Sequence, residues 1–168
     1  VEMARDIAQR FNHHYGEHFV LPEADIGADT AILTGLDGRK MSKSYDNTIP
    51  LFVPQKQLRK LVMRIKTNSL EPGQPKDTEG STLYDIYRAF ATPAEAGTMK
   101  QRFAEGTGWG QLKEDLFEYL DAHLAGPRAE YERLMAAPGD VEAVLRAGAA
   151  RARAMAAPKH ALQRKLLD

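Results

Sequence analysis

Apolar residues recur at helical spacing over most of this chain, and that period limits it to a largely helical fold. Met3, Ile7, Phe11 and Tyr15 stand four apart, with Ala4 and Ala8 beside them, and predict a helix ended by Gly16. Leu58, Leu61, Val62 and Ile65 form a second stripe beyond Pro54, ringed by Lys56, Arg59, Lys60, Arg64 and Lys66. Leu83, Ile86, Tyr87 and Phe90 mark a third helix. Thr92-Pro93 supplies the cap and first-turn proline of a fourth, over Pro93 to Phe103. Leu112, Leu116, Tyr119, Leu120 and Leu124 predict a long fifth, after which Gly126-Pro127 is expected to turn the chain into another helix carrying Tyr131, Leu134 and Met135. Beyond Pro138-Gly139 come Val141, Val144 and Leu145, then an alanine- and arginine-rich run that Pro158 is expected to interrupt. The last hundred residues or so therefore read as stacked antiparallel helices with short loops.

Strand signals are few. His18–Leu21, stopped by Pro22, and Thr30–Thr34 read as short strands, and Thr48–Val53 as an extended segment. Together they are too little for a sheet of their own. Asn68–Gly80, rich in Pro, Gly, Asp and Glu, is the expected boundary. Residues 1–75 then read as the end of an α/β nucleotide-binding domain and residues 76–168 as a helical domain. The first helix has no capping residue ahead of it, so the sequence is expected to be the C-terminal fragment of something longer.

Composition removes several classes of function. The 168 residues are 43% hydrophobic, enough for a packed core. No stretch approaches the roughly 18 apolar residues of a membrane span, and no signal peptide is visible. Cysteine is absent, which excludes disulfides and thiolate metal sites and fits a reducing compartment. His13, His14 and His18 cluster, but Gly16 interrupts them and no third ligand is evident, so they read as surface histidines. Gly106-Thr107-Gly108-Trp109-Gly110 lacks the preceding strand and following Lys-Ser/Thr of a phosphate cradle, and reads as a connector anchored by Trp109.

The charges, 23 of each sign, cancel, so a nucleic-acid partner needs a local patch. Acids dominate from Gln111 to Glu142. From Leu145 the balance inverts, with Arg146, Arg151, Arg153, Lys159, Arg164 and Lys165 against Asp168 alone. That segment is the candidate for an anionic partner.

The most concentrated chemistry lies in Gly35-Leu36-Asp37-Gly38-Arg39-Lys40-Met41-Ser42-Lys43-Ser44, directly after Ala31-Ile32-Leu33. Two lysines, two hydroxyls and two glycines in one loop are groups suited to surround a polyphosphate and stabilise its developing charge. Lys40-Met41-Ser42-Lys43-Ser44 matches the KMSKS signature of class I aminoacyl-tRNA synthetases, and Gly-Leu-Asp-Gly ahead of it resembles the tyrosyl and tryptophanyl branch. Glu2–Asn12 resembles a helix of the bacterial tryptophanyl enzymes, as do Gly108–Lys113 and Gly148–Arg153 in their helical domain.

The resemblance implies the last segment of a Rossmann-like catalytic domain, with few short strands and the lysine loop, followed by an antiparallel tRNA anticodon-binding helical domain. It implies ATP-dependent activation of tryptophan, with Mg2+ accompanying the ATP, and transfer to tRNA(Trp). By the same resemblance Lys43 and Lys40 are catalytic cations facing the leaving pyrophosphate, and Ser42 and Ser44 donate to phosphate oxygens. Met41 and Ile32 lie along the adenine through their backbones. Arg146, Arg151, Arg153, Lys159, Arg164 and Lys165 are assigned to tRNA. The family's His-Ile-Gly-His-type signature and indole pocket have no counterpart in these residues, so tryptophan is expected to bind through an N-terminal half and the piece alone to be inactive. The parent is expected to be a cytoplasmic homodimer. Two other readings stand beside this one: a tyrosyl-tRNA synthetase fragment, and a tRNA-binding helical module without chemistry.

Overall fold

The computed structural model describes residues 1–27 and 32–167, the side chains of 161–163 and 166–167 excepted. Six α-helices follow one another among them: α1 (Glu2–Tyr15), α2 (Gln55–Met63), α3 (Thr82–Phe90), α4 (Pro93–Ala104), α5 (Trp109–Ala136) and α6 (Pro138–Leu167). The expected mainly helical architecture is what forms. Two compact units result, Val1–Ile26 with Leu134–Asp168, and Gly27–Arg133.

The second unit holds the core. Leu58 and Val62 of α2, Leu83 of α3, Phe103 of α4, and Leu112 and Leu116 of α5 are sealed from solvent, with Leu36 from the lysine loop buried among the same cluster. Each such side chain contributes about 1.5–3 kcal/mol on leaving water, which is why the helical stripes decide the fold. That core joins residues on both sides of position 75.

Local signals set the helix ends. Ser81 Oγ accepts the Tyr84 amide at the start of α3. At α4, Thr92 and Glu95 cap each other reciprocally, and Pro93 occupies the first turn. Gly106, at φ 81°, lets the turn after α4 lie flat on the loop at Gly73, where a Cβ would stand 2.6 Å from the Gly73 carbonyl carbon. Lys76, only 5% exposed, points its ammonium at the Glu71, Gln74 and Gly106 carbonyl oxygens at 3.0–3.2 Å and so pins loop 68–80 to that turn. Trp109 packs edge-on against Phe103 and donates to Asn68 Oδ1 at 3.0 Å. The glycine cluster is thus the anchored connector that its composition suggested.

Two expected helix breaks do not occur. Gly126-Pro127 lies inside α5 and Pro158 inside α6. A proline removes one backbone bond and costs about 3 kcal/mol in a helix interior. Here both prolines are exposed, so the carbonyl left without a partner meets water. In α5 the buried row from Leu112 to Leu124 holds the preceding turns, and Arg128 Nη1 reaches back across Pro127 to Asp121 Oδ1 at 2.9 Å.

The expected strands are also corrected. His18–Leu21 is irregular because Asn12 takes the place of a neighbouring strand. Its Oδ1 accepts both the His18 and Phe19 amides (3.1 and 2.9 Å), and its Nδ2 donates to the Phe19 carbonyl at 2.7 Å. Phe19 then packs against Phe11, while Val20 is 96% exposed. Of Thr30–Thr34, the first two residues lie outside the described ones. Thr34 makes an isolated antiparallel bridge with Lys40. Residues 48–53 bend at Leu51–Phe52, where Phe52 stacks on Tyr131 at 5.1 Å.

Candidate functional site

The lysine loop is a closed hairpin held by its own backbone and by one side chain. The Gly35 amide donates to the Arg39 carbonyl at 2.7 Å and the Met41 amide to the Leu33 carbonyl at 2.9 Å, which draws the two arms together. Gly38, at φ 83°, makes the reversal between them. The Lys66 amide beyond α2 donates to the Leu36 carbonyl, and Leu36 itself is buried, so the first arm is fastened to the core. The second arm leaves Met41 for a short 3-10 turn over Lys43–Tyr45 that ends with Asp46 in the left-handed region, at φ 50°.

Asn47 is the centre of this arrangement. It is 2% exposed. Its Oδ1 accepts the Ser42 amide at 2.8 Å, and its Nδ2 donates to Asp37 Oδ1 at 2.8 Å and to the Lys40 carbonyl at 3.2 Å. Gly35 is the partner in shape, since a Cβ there would lie 2.4 Å from Asn47 Cγ. Asp37 in turn receives Arg39 Nε at 2.7 Å, and the Arg39 guanidinium lies 4.3 Å from the centre of the Tyr45 ring. The Asn47 bond, reinforced by Arg39 against the opposing effect of burial, holds the Asp37 carboxyl at about 2, below its ordinary 3.8.

That arrangement leaves the lysines available. Lys40 and Lys43 are exposed, and among the described residues neither ammonium has a hydrogen-bond or ion-pair partner. Asp37, three residues before Lys40, is engaged by Asn47 and Arg39, and Asp46, three residues after Lys43, closes the 3-10 turn with its backbone. The Ser42 and Ser44 hydroxyls lie 2.8 Å apart and bond to each other. Met41 is half-buried, and Ile32, 64% exposed, precedes the hairpin. The six expected ATP-contacting residues therefore fall on one hairpin and its approach. Asn47, and the close fit of Gly35 against it, were not evident from the sequence. The signal was an asparagine five residues past Ser42, which by itself reads as a turn former.

The basic residues of the other unit are arranged on one unbroken helix. Because α6 continues through Pro158, Arg146, Arg153 and Arg164 fall seven and eighteen residues apart, close to whole numbers of turns at about 3.6 residues per turn. They form a row, while Arg151, Lys159 and Lys165 point elsewhere. Arg146 is paired with Glu142 at 2.6 Å, and Lys159 Nζ donates to the His18 carbonyl at 2.6 Å. Arg151, Arg153, Arg164 and Lys165 are exposed. A second cationic face lies on and just after α2, where Lys56, Lys60, Arg64 and Lys66 are exposed and Arg59 is clamped by both carboxylate oxygens of Glu114. Among the described residues no three His, Asp or Glu side chains are grouped to hold a metal ion, and no helix is long and apolar enough to cross a membrane.

This chain is similar to several known proteins. A family model for class I tRNA synthetases (W and Y) matches residues 1–125. The curated tryptophan–tRNA ligase of Xanthomonas axonopodis pv. citri is 59% identical over 155 residues, 92% of this chain and 36% of that protein. Its counterpart in Pseudomonas aeruginosa is 53% identical over 161 residues, 94% of this chain and 36% of the relative. The chain thus spans about a third of the length of the curated relatives it matches. Among solved structures, tryptophanyl-tRNA synthetase from Campylobacter jejuni, complexed with ADP and tryptophane, is similar with a TM-score of 0.77 at 36% identity, over 99% of this chain and 52% of that one. With the KMSKS hairpin in place and most of its length matched by the family model, this chain belongs to the class I tRNA synthetases of the W and Y family.

Proposed function

We propose that this chain is the C-terminal part of a tryptophan–tRNA ligase and supplies its phosphate-binding hairpin and tRNA-binding helices. The observation that carries the proposal is the pair of exposed ammonium groups, Lys40 and Lys43, without partners among the described residues, on a hairpin whose Asp37 carboxylate is engaged by Asn47 and Arg39. In the first step the tryptophan carboxylate attacks the α-phosphorus of ATP, and the bond to the bridging oxygen of pyrophosphate breaks. Charge accumulates on that leaving group, and fixed cations at this position lower the barrier. Lys43 and Lys40 take this role, Ser42 and Ser44 exchange their mutual bond for bonds to phosphate oxygens, and the backbones of Met41 and Ile32 lie along the adenine. In the second step a hydroxyl of the tRNA terminus attacks the adenylate carbonyl and AMP departs.

Mg2+ enters with the triphosphate, whose oxygens hold it. Tryptophan binds through residues outside this chain, and the working enzyme is a cytoplasmic homodimer. The division of labour falls at residues 75 and 76, with the hairpin before it and the tRNA helices after it. The basic positions of α6, Arg146, Arg151, Arg153, Lys159, Arg164 and Lys165, meet tRNA(Trp). The test is ATP–pyrophosphate exchange by the full-length protein: exchange driven by tryptophan and not tyrosine is expected. Exchange driven by tyrosine alone would move the chain to the tyrosyl branch, and none with either amino acid would leave a tRNA-binding module.

A further inference from the structure

We propose that Asn47 is the positioning residue of the lysine hairpin, setting where Lys40 and Lys43 present their ammonium groups; the inference rests on the reading of these lysines as pyrophosphate partners. A primary amide side chain offers one carbonyl oxygen and two N–H donors. In Asn47 the oxygen takes the Ser42 amide, and the amide nitrogen serves Lys40 and Asp37. The backbone carbonyl of the same residue accepts the Leu36 amide at 2.9 Å, tying it to the arm that is rooted in the core. One residue therefore grips the chain at Lys40 itself and one residue before Lys43.

The grip is specific in chemistry and in space. Aspartate at 47 keeps the acceptor for Ser42, but loses both donors and sets a second carboxylate against Asp37. Alanine leaves the Ser42 amide and the Lys40 carbonyl without the partner that the buried Asn47 side chain supplies. Glutamine needs room that the Gly35 backbone does not leave, because Asn47 Cγ already stands where a Gly35 Cβ would be. Neither Lys40 nor Lys43 is held by its own side chain among the described residues, so their placement comes from the backbone that Asn47 fixes. Positioning of this kind matters because small misplacements of a charge aimed at the transition state carry large rate penalties.

The experiment is a double-mutant cycle in the full-length protein, with exchange rates normalised to titrated active sites so that unfolded molecules are not counted. Asn47→Ala is expected to lower the rate per active site by about 10–100-fold, the range seen when an outer partner of a functional group is removed. On a Lys43→Ala background the same change is expected to cost no more than about threefold, because residues acting as a unit do not add. Gly35→Ala, which displaces the same amide from the other side, is expected to reproduce the loss. A rate for Asn47→Ala within twofold of wild type overturns the proposal, and so do losses that simply multiply with Lys43→Ala. Amide hydrogen exchange at Ser42 decides the structural half independently of activity. Exchange at least about tenfold faster in Asn47→Ala is expected, and an unchanged rate overturns the proposal even if the wild-type protein activates no amino acid. Failure of wild-type exchange alone would count against the ligase reading and leave the Ser42 result to decide this one.

Discussion

The lysine hairpin and helix α6 both present cations, and they keep them available by opposite means. In the hairpin Asn47 and Arg39 occupy the Asp37 carboxylate, and among the described residues Lys40 and Lys43 remain without partners. In α6 a regular helix spaces Arg146, Arg153 and Arg164 along one row, and the first is paired with its own Glu142. The hairpin is tied at several points to a buried asparagine and a buried leucine. The helix is exposed along most of its length, with Val144 70% and Leu145 66% exposed. A point charge that must meet one leaving group needs a fixed origin. A surface that follows a phosphate backbone needs spacing and tolerates motion.

The largest expected effect separates the two regions directly. Lys43→Ala in the full-length protein is expected to lower adenylation by roughly 10²–10³-fold with tryptophan affinity unchanged, because the interaction grows mainly in the transition state. Arg153→Ala is expected to leave adenylation unchanged. Steady-state exchange kinetics check both, and a rate loss shared equally by the two variants would erase the contrast.

The continuity of α6 can be tested next. Pro158→Ala restores a backbone donor inside the helix and is expected to stabilise it by about 1–3 kcal/mol, measured by thermal or urea unfolding. Because the row Arg146, Arg153 and Arg164 already spans Pro158, tRNA affinity is expected to stay within a few-fold. A large change in affinity would mean that the proline sets the direction of Arg164, contrary to an unbroken helix.

Smaller again is the loss of one phosphate contact. Arg153→Ala is expected to reduce the slope of log affinity for tRNA against log salt by about one unit, weakening binding similarly across sequences. The same substitution at Arg146 is expected to do less, since Glu142 holds that guanidinium in the free protein. Filter binding over a salt series distinguishes them, and equal slopes for wild type and Arg153→Ala would remove this arginine from the tRNA surface.

How much of this was legible in the sequence depended on whether a residue's role is local. The helical stripes were readable because burial repeats with the helix period, and Leu58, Val62, Leu112 and Leu116 all lie in the core. Thr92 and Pro93 announced the start of α4 because a cap and a first-turn proline act within one turn. The pentapeptide Lys40–Ser44 was readable because its chemistry is contiguous. Asn47, Asn12 and Lys76 were not, since each satisfies backbone groups that only the folded chain gathers, among them the Gly106 carbonyl thirty residues from Lys76. Pro127 and Pro158 misled because a proline's cost is visible in sequence, while the exposure that makes it tolerable is not.

The smallest effect probes Asp37, the acid in the turn of the hairpin. Asp37 titrates at about 2 in the fold and would titrate near 3.8 without its partners, chiefly Asn47 and then Arg39. The folded state therefore binds this proton more weakly than the unfolded chain. Ionised Asp37 favours the fold at any pH above the ordinary carboxylate range, and that contribution is lost as pH falls from about 4 towards about 2. The Arg39 amide, which donates to Asp37 Oδ1 at 3.1 Å, reports the event by its chemical shift. An inflection near pH 2 is expected in wild type, moving up towards 3.8 in Asn47→Ala as the main cause of the shift is removed. High salt is expected to reduce the smaller share due to Arg39, which is exposed and screened, and to leave the share due to the buried Asn47 amide. An Asn47→Ala inflection that stays near 2 would assign the shift to the arginine, and the hairpin would then hold its acid by surface charge, much as α6 holds Arg146.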